Sequence, residues 1–359
     1  MAKRDTAVTI IGTGTIGEPL IGLLAANKKQ LGIDRVIFHK RTPAIVDRSK
    51  VNNLIKKGTE FATDKDSFAG FKELGMEPRW TREEAVQQAD VVIDCTPEGV
   101  AIDQKAKVYE KLSKAKGFIA QGSEFGFGKM YARGVNDEAL VPGQDRFIHV
   151  VSCNTHNLSV IVKALALADG AKDKNLEWGR FVCIRRANDV SNEKGFLASP
   201  EVGSHKDAEY GTHHARDVVH LYKTLGYNLN LFSSAVKIPT QYMHTIYFHL
   251  RTQRRFTKDE ALARWKAYPY AAITYKKVAN MVYSFGRDHG HWGRLLDEAI
   301  LVAPTLWVSP DGREVAGYCF TPQDGNSLLT SLSATAFLLD PKTYKEKMHA
   351  FDSLLFKEV

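Results

Sequence analysis

Cys153 lies in the segment VVSCNTHNLSV and is the first candidate for chemistry in this chain. The residues before it are β-branched, which is typical of a strand, and the apolar residues after it recur at helical spacing. A cysteine at the start of a helix is favoured as a thiolate, because the helix N-terminus stabilises negative charge. The segment therefore predicts a reactive thiol at Cys153, and the alternative is a cysteine that only fills the core.

A glycine pattern near the N-terminus predicts a dinucleotide site. Gly12, Gly14 and Gly17 form G-x-G-x-x-G directly after the apolar run AVTII and at the start of a helical pattern. In such a turn the first glycine allows a tight bend, the second lets the backbone approach a pyrophosphate, and the third lets the helix pack on the strand. We include Thr15 and Ile16, which lie within the pattern, in the predicted cofactor site.

The end of the second predicted strand, FHKRTP, favours NADP over NAD. A site for NAD usually has an acid there for the ribose 2′-hydroxyl, whereas Lys40 and Arg41 are cations that suit a 2′-phosphate. We therefore predict NADP as the preferred cofactor and NAD as a possible one. The alternative is a solvated loop that touches no ligand.

Two further predicted strands end in residues that suit a ligand site. DVVIDCTPEGV places Thr96 at one strand end, and FIAQGSEF places Gly122 at the next. Because ligands bind beyond the carboxyl ends of parallel strands, we expect these residues and Cys153 to converge. A cysteine nucleophile near a nicotinamide indicates aldehyde oxidation through a thiohemiacetal and a thioester.

The order of elements predicts an α/β fold with two domains. Short apolar runs alternate with helical patterns in the first part of the chain, which is typical of a Rossmann domain with a parallel sheet. Longer strands with few helices follow, which indicates an α+β catalytic domain with a mainly antiparallel sheet. We predict a dinucleotide-binding domain at 1–152 and a catalytic domain at 153–322, with helices of 323–359 packing back on the first domain.

Composition narrows the class of protein. The chain has 359 residues, 44% hydrophobic and 25% charged, with a formal net charge of +8. The cations are interspersed with acids, so we expect phosphorylated small molecules rather than nucleic acid as partners. No apolar run reaches the roughly 18 residues of a membrane span, and the start does not resemble a signal peptide. Four scattered cysteines indicate free thiols and no metal site, and hence a cytoplasmic protein.

Seven segments together resemble the archaeal-type (type II) phosphorylating glyceraldehyde-3-phosphate dehydrogenases. They occur in the family's order and approximate spacing: GTGTIG, DVVIDCTPEGV, QGSE, VVSCNT, IRRAND, THHARDV and VKIPTQYMH. The resemblance implies oxidation of D-glyceraldehyde 3-phosphate with NAD(P)⁺ and inorganic phosphate to 1,3-bisphosphoglycerate. It also implies a homotetramer.

The resemblance also implies roles for individual residues. Cys153 is similar to the family nucleophile and His244 to its general base. Arg186 resembles an anion-contacting or cofactor-contacting arginine, and Gln323 resembles a cofactor contact near the nicotinamide. The residues implied to bind substrate are Ser152, Asn154, Thr155, His213 and His214.

Strand alternation is compatible with this role of His244, and the alternative is a core histidine bonded to the backbone. Alternation places His244 on one face with Ile246, Phe248 and Leu250, a face that we expect to be buried. Burial favours the neutral imidazole, which is the form that accepts a proton.

Several features leave alternatives open. The family usually has threonine and glycine where this chain has His156 and Asn157, and the THHARDV segment has Ala215 and Arg216 in place of glycine and proline. The alternatives are a related semialdehyde dehydrogenase that reduces an acyl phosphate, a non-enzymatic dinucleotide-binding regulator, and a basic RNA-associated protein.

Overall fold

A computed structural model describes residues 5–167, 173–190, 195–322 and 324–359. The chain divides into two compact units that are interleaved along the sequence. The first unit contains Met1–Lys129, Val141–Val150 and Ser331–Ala350, and the second contains Met130–Leu140, Val151–Thr330 and Phe351–Val359. The predicted division at residue 152 is simpler than this one, because the chain passes between the units several times.

The first sheet has eight strands and follows the predicted Rossmann pattern. The strands are β1 Ala7–Ile11, β2 Arg35–His39, β3 Glu60–Thr63, β4 Trp80–Thr81, β5 Val91–Asp94, β6 Gly117–Gly122, β7 Lys129–Tyr131 and β8 Phe147–Val151. Their order is β4-β3-β2-β1-β5-β6-β8-β7, and every pair from β4 to β6 is parallel. The order reverses direction at β1, where strand ends leave room for a ligand.

The second sheet also has eight strands but is mixed. They are β9 Leu176–Arg186, β10 Glu201–Val202, β11 Leu231–Ile238, β12 His244–Thr252, β13 Ala271–Thr274, β14 Ala299–Val302, β15 Trp307–Val308 and β16 Glu314–Thr321. The order is β10-β11-β9-β12-β16-β14-β13, with β15 beside β16. Most pairs are antiparallel, as predicted, but β9–β11 and β13–β14 are parallel because helices connect their partners. The α/β fold class is thus confirmed.

Twelve α-helices accompany the two sheets within the described residues. They are α1 Gly17–Ala26, α2 Lys28–Leu31, α3 Arg48–Lys56, α4 Phe68–Glu73, α5 Arg82–Gln88, α6 Val100–Lys107, α7 Cys153–Ile161, α8 His213–Lys223, α9 Lys258–Ala267, α10 Ala279–His289, α11 Leu328–Leu339 and α12 Tyr344–His349. None of these helices is long and apolar enough to cross a membrane.

The core of the second unit forms between its sheet and helices α7 and α8. Ile246, Phe248 and Leu250 of β12 are fully buried, and His244 at the start of the strand is 4% exposed. The predicted alternation along this strand is therefore confirmed. Burying each such side chain contributes about 1.5–3 kcal/mol, so the face that carries His244 is held rigidly.

Helix α7 is buried from Asn154 to its end, and polar side chains fix it in place. The Asn157 amide donates to the backbone oxygen of Phe320 at 3.1 Å and to the Thr321 hydroxyl at 2.8 Å. The imidazole of His156 donates from Nδ1 to the Ser152 oxygen, and the Thr330 hydroxyl lies 2.9 Å from Nε2. These bonds replace the water that the buried polar groups lose, so the first residue of the helix has a fixed position.

A buried acid anchors the C-terminal segment in the same unit. The Asp297 carboxylate accepts a hydrogen bond from the backbone N–H of Phe356 at 3.1 Å. Asp297 has no exposed surface, and burial raises its pKa to about 7. Folding therefore binds a proton that the unfolded chain releases near its ordinary value of 3.8.

This pKa predicts that Asp297 destabilises the fold as the pH rises. Between about pH 4 and 7 the folded carboxyl keeps a proton that the unfolded one has lost, so the free energy of unfolding falls by on the order of 4 kcal/mol and then levels off. Asp297→Asn, which keeps the acceptor oxygen, is expected to remove that loss. Urea unfolding across this pH range measures it, with the exposed Asp66→Asn as control. Parallel curves for wild type and Asp297→Asn would contradict the assignment.

Candidate functional site

The turn between β1 and α1 has the shape that a pyrophosphate needs. Gly12 has φ +98°, which side chains rarely adopt, and a Cβ on Gly17 would lie 2.2 Å from the Gly12 oxygen. Gly14 is exposed, with no atom within 4 Å of the space a Cβ would fill. Thr15 and Ile16 are partly exposed in the same turn. The three glycines therefore fit the roles expected of a dinucleotide turn, and the open space at Gly14 suits a phosphate.

Two lysines and one acid stand together beside this turn. Lys40 Nζ lies 2.8 Å from Asp47 Oδ2, and Lys50 Nζ lies 2.8 Å from Asp47 Oδ1. Lys50 Nζ also donates to the Thr13 oxygen of the glycine turn at 3.4 Å. Partial burial raises the pKa of Asp47, but hydrogen bonds from both lysines outweigh it and hold the pKa below its ordinary value. Arg41 is exposed.

Sequence reasoning missed Lys50 and Asp47. Lys50 lies in α3 and Asp47 directly before it, beyond the loop predicted to select the cofactor, and only folding brings them to Lys40. His39, at the end of β2, does not supply a cation to this site. Its Nε2 donates to Asp64 Oδ1 at 3.0 Å, and burial lowers its pKa.

Carboxylates organise the loops after β5 and β6. The Asp94 carboxylate accepts from the Thr96 hydroxyl and backbone N–H, so Thr96 is fixed at the end of β5. The Glu124 carboxylate accepts from the backbone N–H of Gly99 at 2.7 Å and caps the start of α6. Gly122 has φ +82° at the end of β6, which pairs with β5. Both predicted cofactor residues thus lie at neighbouring strand ends, and Glu124 was missed although QGSE contains it.

Cys153 is the first residue of α7, as predicted, and its neighbours cap the helix. Ser152 Oγ accepts from the Thr155 N–H at 3.4 Å and lies 2.9 Å from the Thr155 hydroxyl. Thr155 is fully buried, so its side chain is committed to this cap. Such a cap contributes about 1 kcal/mol and fixes the direction in which the thiol leaves the helix.

The pKa of Cys153 is raised even though the thiol lies at a helix N-terminus. Burial raises the pKa to about 11, although the cationic Arg186 and Arg185 act in the opposite direction. The expectation of a thiolate in the free protein is therefore wrong, because desolvation disfavours the charged form by more than the helix and the arginines favour it.

A hydrogen-bonded chain joins the cysteine helix to α8. The Asn154 amide donates to His214 Nε2 at 3.1 Å, and His214 Nδ1 lies 3.0 Å from the Thr212 hydroxyl. His214 is buried, and burial holds its pKa well below the ordinary value. Both of its nitrogens are bonded within the protein, so a substrate reaches it only by replacing one of these bonds.

His213 lines a basic cavity of about 590 Å³ within the second unit. Burial, together with the cations Arg185 and Arg216, lowers the pKa of His213 to about 4, so the imidazole is neutral at pH 7. The charged residues that line the cavity are Arg185, Lys206, Arg216 and Lys237, with the acids Glu201 and Asp207. The excess of cations suits a phosphate.

Arg185 was not predicted from the sequence, because the family resemblance assigned the role to the adjacent Arg186. Strand alternation sends adjacent side chains to opposite faces, and the IRRAND segment therefore holds two different arginines. Arg185 lines the cavity, whereas the Arg186 guanidinium binds Asp324 at 2.9 Å and Asp189 at 2.5 Å. Arg186 is buried and already paired with acids, which does not suit the anion contact expected of it.

The backbone of Arg186 determines the tautomer of His244. Its N–H donates to His244 Nδ1 at 2.9 Å, so the neutral imidazole carries its proton on Nε2. Burial holds the pKa of His244 well below its ordinary value, and Arg186 and Arg185 add to that effect. The neutral form was predicted, but its Nε2–H is a donor and not a free acceptor.

The predicted site residues that share the second unit are thus Cys153, Ser152, Asn154, Thr155, Arg186, His213, His214 and His244. The predicted cofactor residues that share the first unit are Gly12, Gly14, Thr15, Ile16, Gly17, Lys40, Arg41, Thr96 and Gly122. Gln323 lies outside the described residues. No group of acids, histidines and cysteines with the spacing of a metal site occurs in the part of the chain that the structure describes.

Curated proteins named glyceraldehyde-3-phosphate dehydrogenase are similar to this chain over most of its length. The protein of Methanococcoides burtonii is 32% identical over 259 residues, which are 70% of this chain and 69% of the relative. That of Pyrobaculum arsenaticum is 30% identical over 264 residues, or 72% and 70%. That of Sulfolobus acidocaldarius is 24% identical over 322 residues, or 86% and 84%. No family model matches the chain.

The raised pKa of Cys153 predicts how the free thiol reacts. Because only the thiolate is nucleophilic, alkylation by iodoacetamide is expected to be slow at pH 7 and to accelerate about tenfold for each pH unit toward 11. Mass spectrometry of the modified peptide measures the rate at each pH. The fully buried Cys183 and Cys319 serve as internal controls and are expected to stay unmodified while the protein is folded. A plateau reached below pH 8 would contradict this pKa.

Proposed function

This chain belongs to the glyceraldehyde-3-phosphate dehydrogenase family, and from that premise we propose that it oxidises D-glyceraldehyde 3-phosphate to 1,3-bisphosphoglycerate with NAD(P)⁺ and inorganic phosphate. The observation that carries the proposal is the chain of contacts in the second unit. Cys153 begins α7, Asn154 binds His214, and the adjacent His213 lines a cavity rich in cations. A thiol whose helix is joined through Asn154 and His214 to a cation-rich cavity suits a phosphorylated aldehyde.

The first step is addition of the thiol to the aldehyde. The Cys153 sulfur bonds to the carbonyl carbon, the C=O electron pair moves to oxygen, and the thiol proton must reach that oxygen. His244 suits this transfer because its Nε2–H donates to the oxygen, after which the same nitrogen accepts the thiol proton. We retain His244 as the proton-transferring residue, and the tautomer makes it a donor before it is a base.

Oxidation and phosphorolysis follow. A bound nicotinamide dinucleotide would supply the hydride acceptor. As the thiohemiacetal carbon loses its hydride, the hydroxyl proton is released to water and the carbonyl of the thioester forms. A phosphate oxygen then attacks the thioester carbon, the carbon–sulfur bond breaks, and the thiolate of Cys153 leaves. Arg185 and Arg216 of the cavity are the groups we propose to hold the anions, with His213 as a neutral hydrogen-bonding partner.

We propose the archaeal-type (type II) subtype, because the similar proteins named above come from archaea. A cytoplasmic location is supported by four cysteines that are all free.

A homotetramer is supported by an aromatic sheet face. Trp178 and Tyr247 are partly exposed there, while Tyr318 is 38% and Trp307 47% exposed. Sedimentation equilibrium counts the chains, and a monomer at micromolar concentration would contradict the proposal.

A spectrophotometric assay at 340 nm tests the proposed reaction. Glyceraldehyde 3-phosphate with NADP⁺ or NAD⁺ is expected to produce reduced cofactor only when inorganic phosphate is present. Cys153→Ser is expected to abolish turnover and to leave cofactor binding unchanged, since the nucleophile lies in the second unit and the glycine turn in the first. Cys319→Ser, which alters a buried thiol elsewhere in that unit, is the matched control. Oxidation of aspartate semialdehyde in place of the triose phosphate would support the semialdehyde dehydrogenase instead.

The two kinds of histidine are expected to give different kinetic defects. His244→Asn should lower kcat by roughly 10²- to 10⁴-fold with little change in KM, as lost acid–base catalysis does. His213→Asn should mainly raise KM for the phosphorylated substrate, because it lines the basic cavity. His220→Asn, farther along α8, is the control. The opposite pattern would make His244 a structural residue.

Cofactor selectivity is expected to depend on Lys40 and Lys50. Loss of either ammonium group should weaken NADP binding by about 1.5–3 kcal/mol and leave NAD binding almost unchanged, because only NADP carries a 2′-phosphate. Arg41→Ala tests the exposed cation of the same loop, and the exposed Lys57→Ala is the control. Fluorescence titration of the reduced cofactors measures the dissociation constants. An equal loss for both cofactors would mean that the lysines serve only to hold Asp47.

A further inference from the structure

Asp324 is a buried acid whose carboxylate is committed to one arginine. Its Oδ1 lies 2.9 Å from Arg186 Nη2 and its Oδ2 lies 3.4 Å from Nη1, in a forked arrangement. The side chains are only 7% and 3% exposed. A buried pair of this kind is strongly destabilising when one partner is lost, so the position of Arg186 depends on Asp324.

The backbone at Asp324 has an unusual conformation. Its φ is +66°, and among the described non-glycine residues only Trp292 shares a positive φ. Such a conformation costs on the order of 1 kcal/mol or more and persists where surrounding contacts impose it. Two residues later the Asn326 amide donates to the Cys153 oxygen at 2.9 Å and to the Glu298 oxygen at 3.1 Å. The same turn therefore contacts both Arg186 and the first residue of α7.

Arg186 in turn connects this turn to His244. Its guanidinium is held by Asp324, while its backbone N–H donates to His244 Nδ1 at 2.9 Å. Movement of this residue changes the hydrogen bond that keeps the imidazole proton on Nε2.

We propose that Asp324 is a positioning residue for the thiol chemistry. It holds the Arg186 guanidinium in place and so maintains the hydrogen bond from the Arg186 N–H to His244 Nδ1. It also offsets the cationic charge that acts on Cys153. The inference rests on the proposed function in that Cys153 and His244 are taken as the reacting groups. As a positioning residue, Asp324 acts through Arg186 and touches neither substrate nor cofactor itself.

The electrostatics have a definite sign. Arg186 and Arg185 lower the pKa of the Cys153 thiol, and Asp324 raises it, although burial is the largest cause. Burial raises the pKa of Asp324 above its ordinary value, Arg186 and Arg294 act in the opposite direction, and Asp189 acts in the same direction as burial. Removing the charge of Asp324 leaves the arginine charge less compensated, so the thiolate becomes more favourable. Asp324 thus adds to the effect of burial, which keeps the thiol protonated in the free protein.

Replacement of the acid by its amide tests the proposal. Asp324→Asn preserves the shape, and asparagine tolerates a positive φ. Asp189→Asn is the matched control, because Asp189 binds the same Nη2 atom but is 40% exposed. The readout is the rate of Cys153 alkylation by iodoacetamide from pH 6 to 10. We expect Asp324→Asn to raise the rate at pH 8 by about three- to tenfold and to shift the whole profile to lower pH, with Asp189→Asn close to wild type.

A second variant reverses the charge change. Arg186→Gln leaves the Asp324 carboxylate uncompensated and is expected to slow alkylation and to shift the profile to higher pH. This measurement remains informative if Asp324→Asn folds poorly. The lower limb of the pH profile of kcat/KM is expected to move in the same direction as alkylation in each variant.

Two outcomes would overturn the proposal. In the first, Asp324→Asn lowers the free energy of unfolding but leaves the pH profile of alkylation unchanged, and the role of Asp324 is then purely structural. In the second, Asp189→Asn shifts the alkylation profile as much as Asp324→Asn does, and the shift is then a general effect of removing a negative charge. Alkylation needs no substrate, so a shifted profile in a protein without glyceraldehyde-3-phosphate oxidation would sustain the role of Asp324 and refute only the proposed function.

Discussion

The hydrogen bond from the backbone N–H of Arg186 to His244 Nδ1 is the constraint on which the chemistry of the second unit depends. It joins the end of β9 to the start of β12, two strands that the sheet already pairs over most of their length. Because the sheet fixes both backbones, the imidazole has one orientation and one neutral tautomer. The position of a backbone amide, rather than an acidic side chain, thus decides which nitrogen of His244 can act.

Burial and the nearby cations have different combined effects on the histidines and on the thiol. Desolvation keeps Cys153, His213, His214 and His244 uncharged in the free protein. The arginines add to that effect for the histidines and oppose it for Cys153. Neutral groups at a site of positive potential leave the cations available for an anionic ligand. The arrangement therefore suits a phosphorylated substrate, which brings negative charge to the cations. It also limits the reactivity of the thiol in the absence of substrate.

In the first unit, too, an acid holds cations in position. Asp47 holds two lysine ammonium groups within hydrogen-bonding distance of one carboxylate, beside the glycine turn. Preorganised cations lose less conformational freedom when a phosphate binds than flexible lysines do. Asp324 plays the corresponding part for Arg186 in the second unit, where the cation is buried and its partner has a strained backbone.

The sequence by itself determined the local features. The spacing of Gly12, Gly14 and Gly17, the alternation along β12 and the position of Cys153 at a helix start depend on neighbouring residues, and the structure agrees with each. Tertiary structure decided which charged groups meet. Lys50 reaches Lys40 through Asp47, and Asp324 reaches Arg186 from 138 positions away. The pKa of Cys153 also depended on the fold, because the helix N-terminus is visible in the sequence but the desolvation that outweighs it comes from residues packed around it in space.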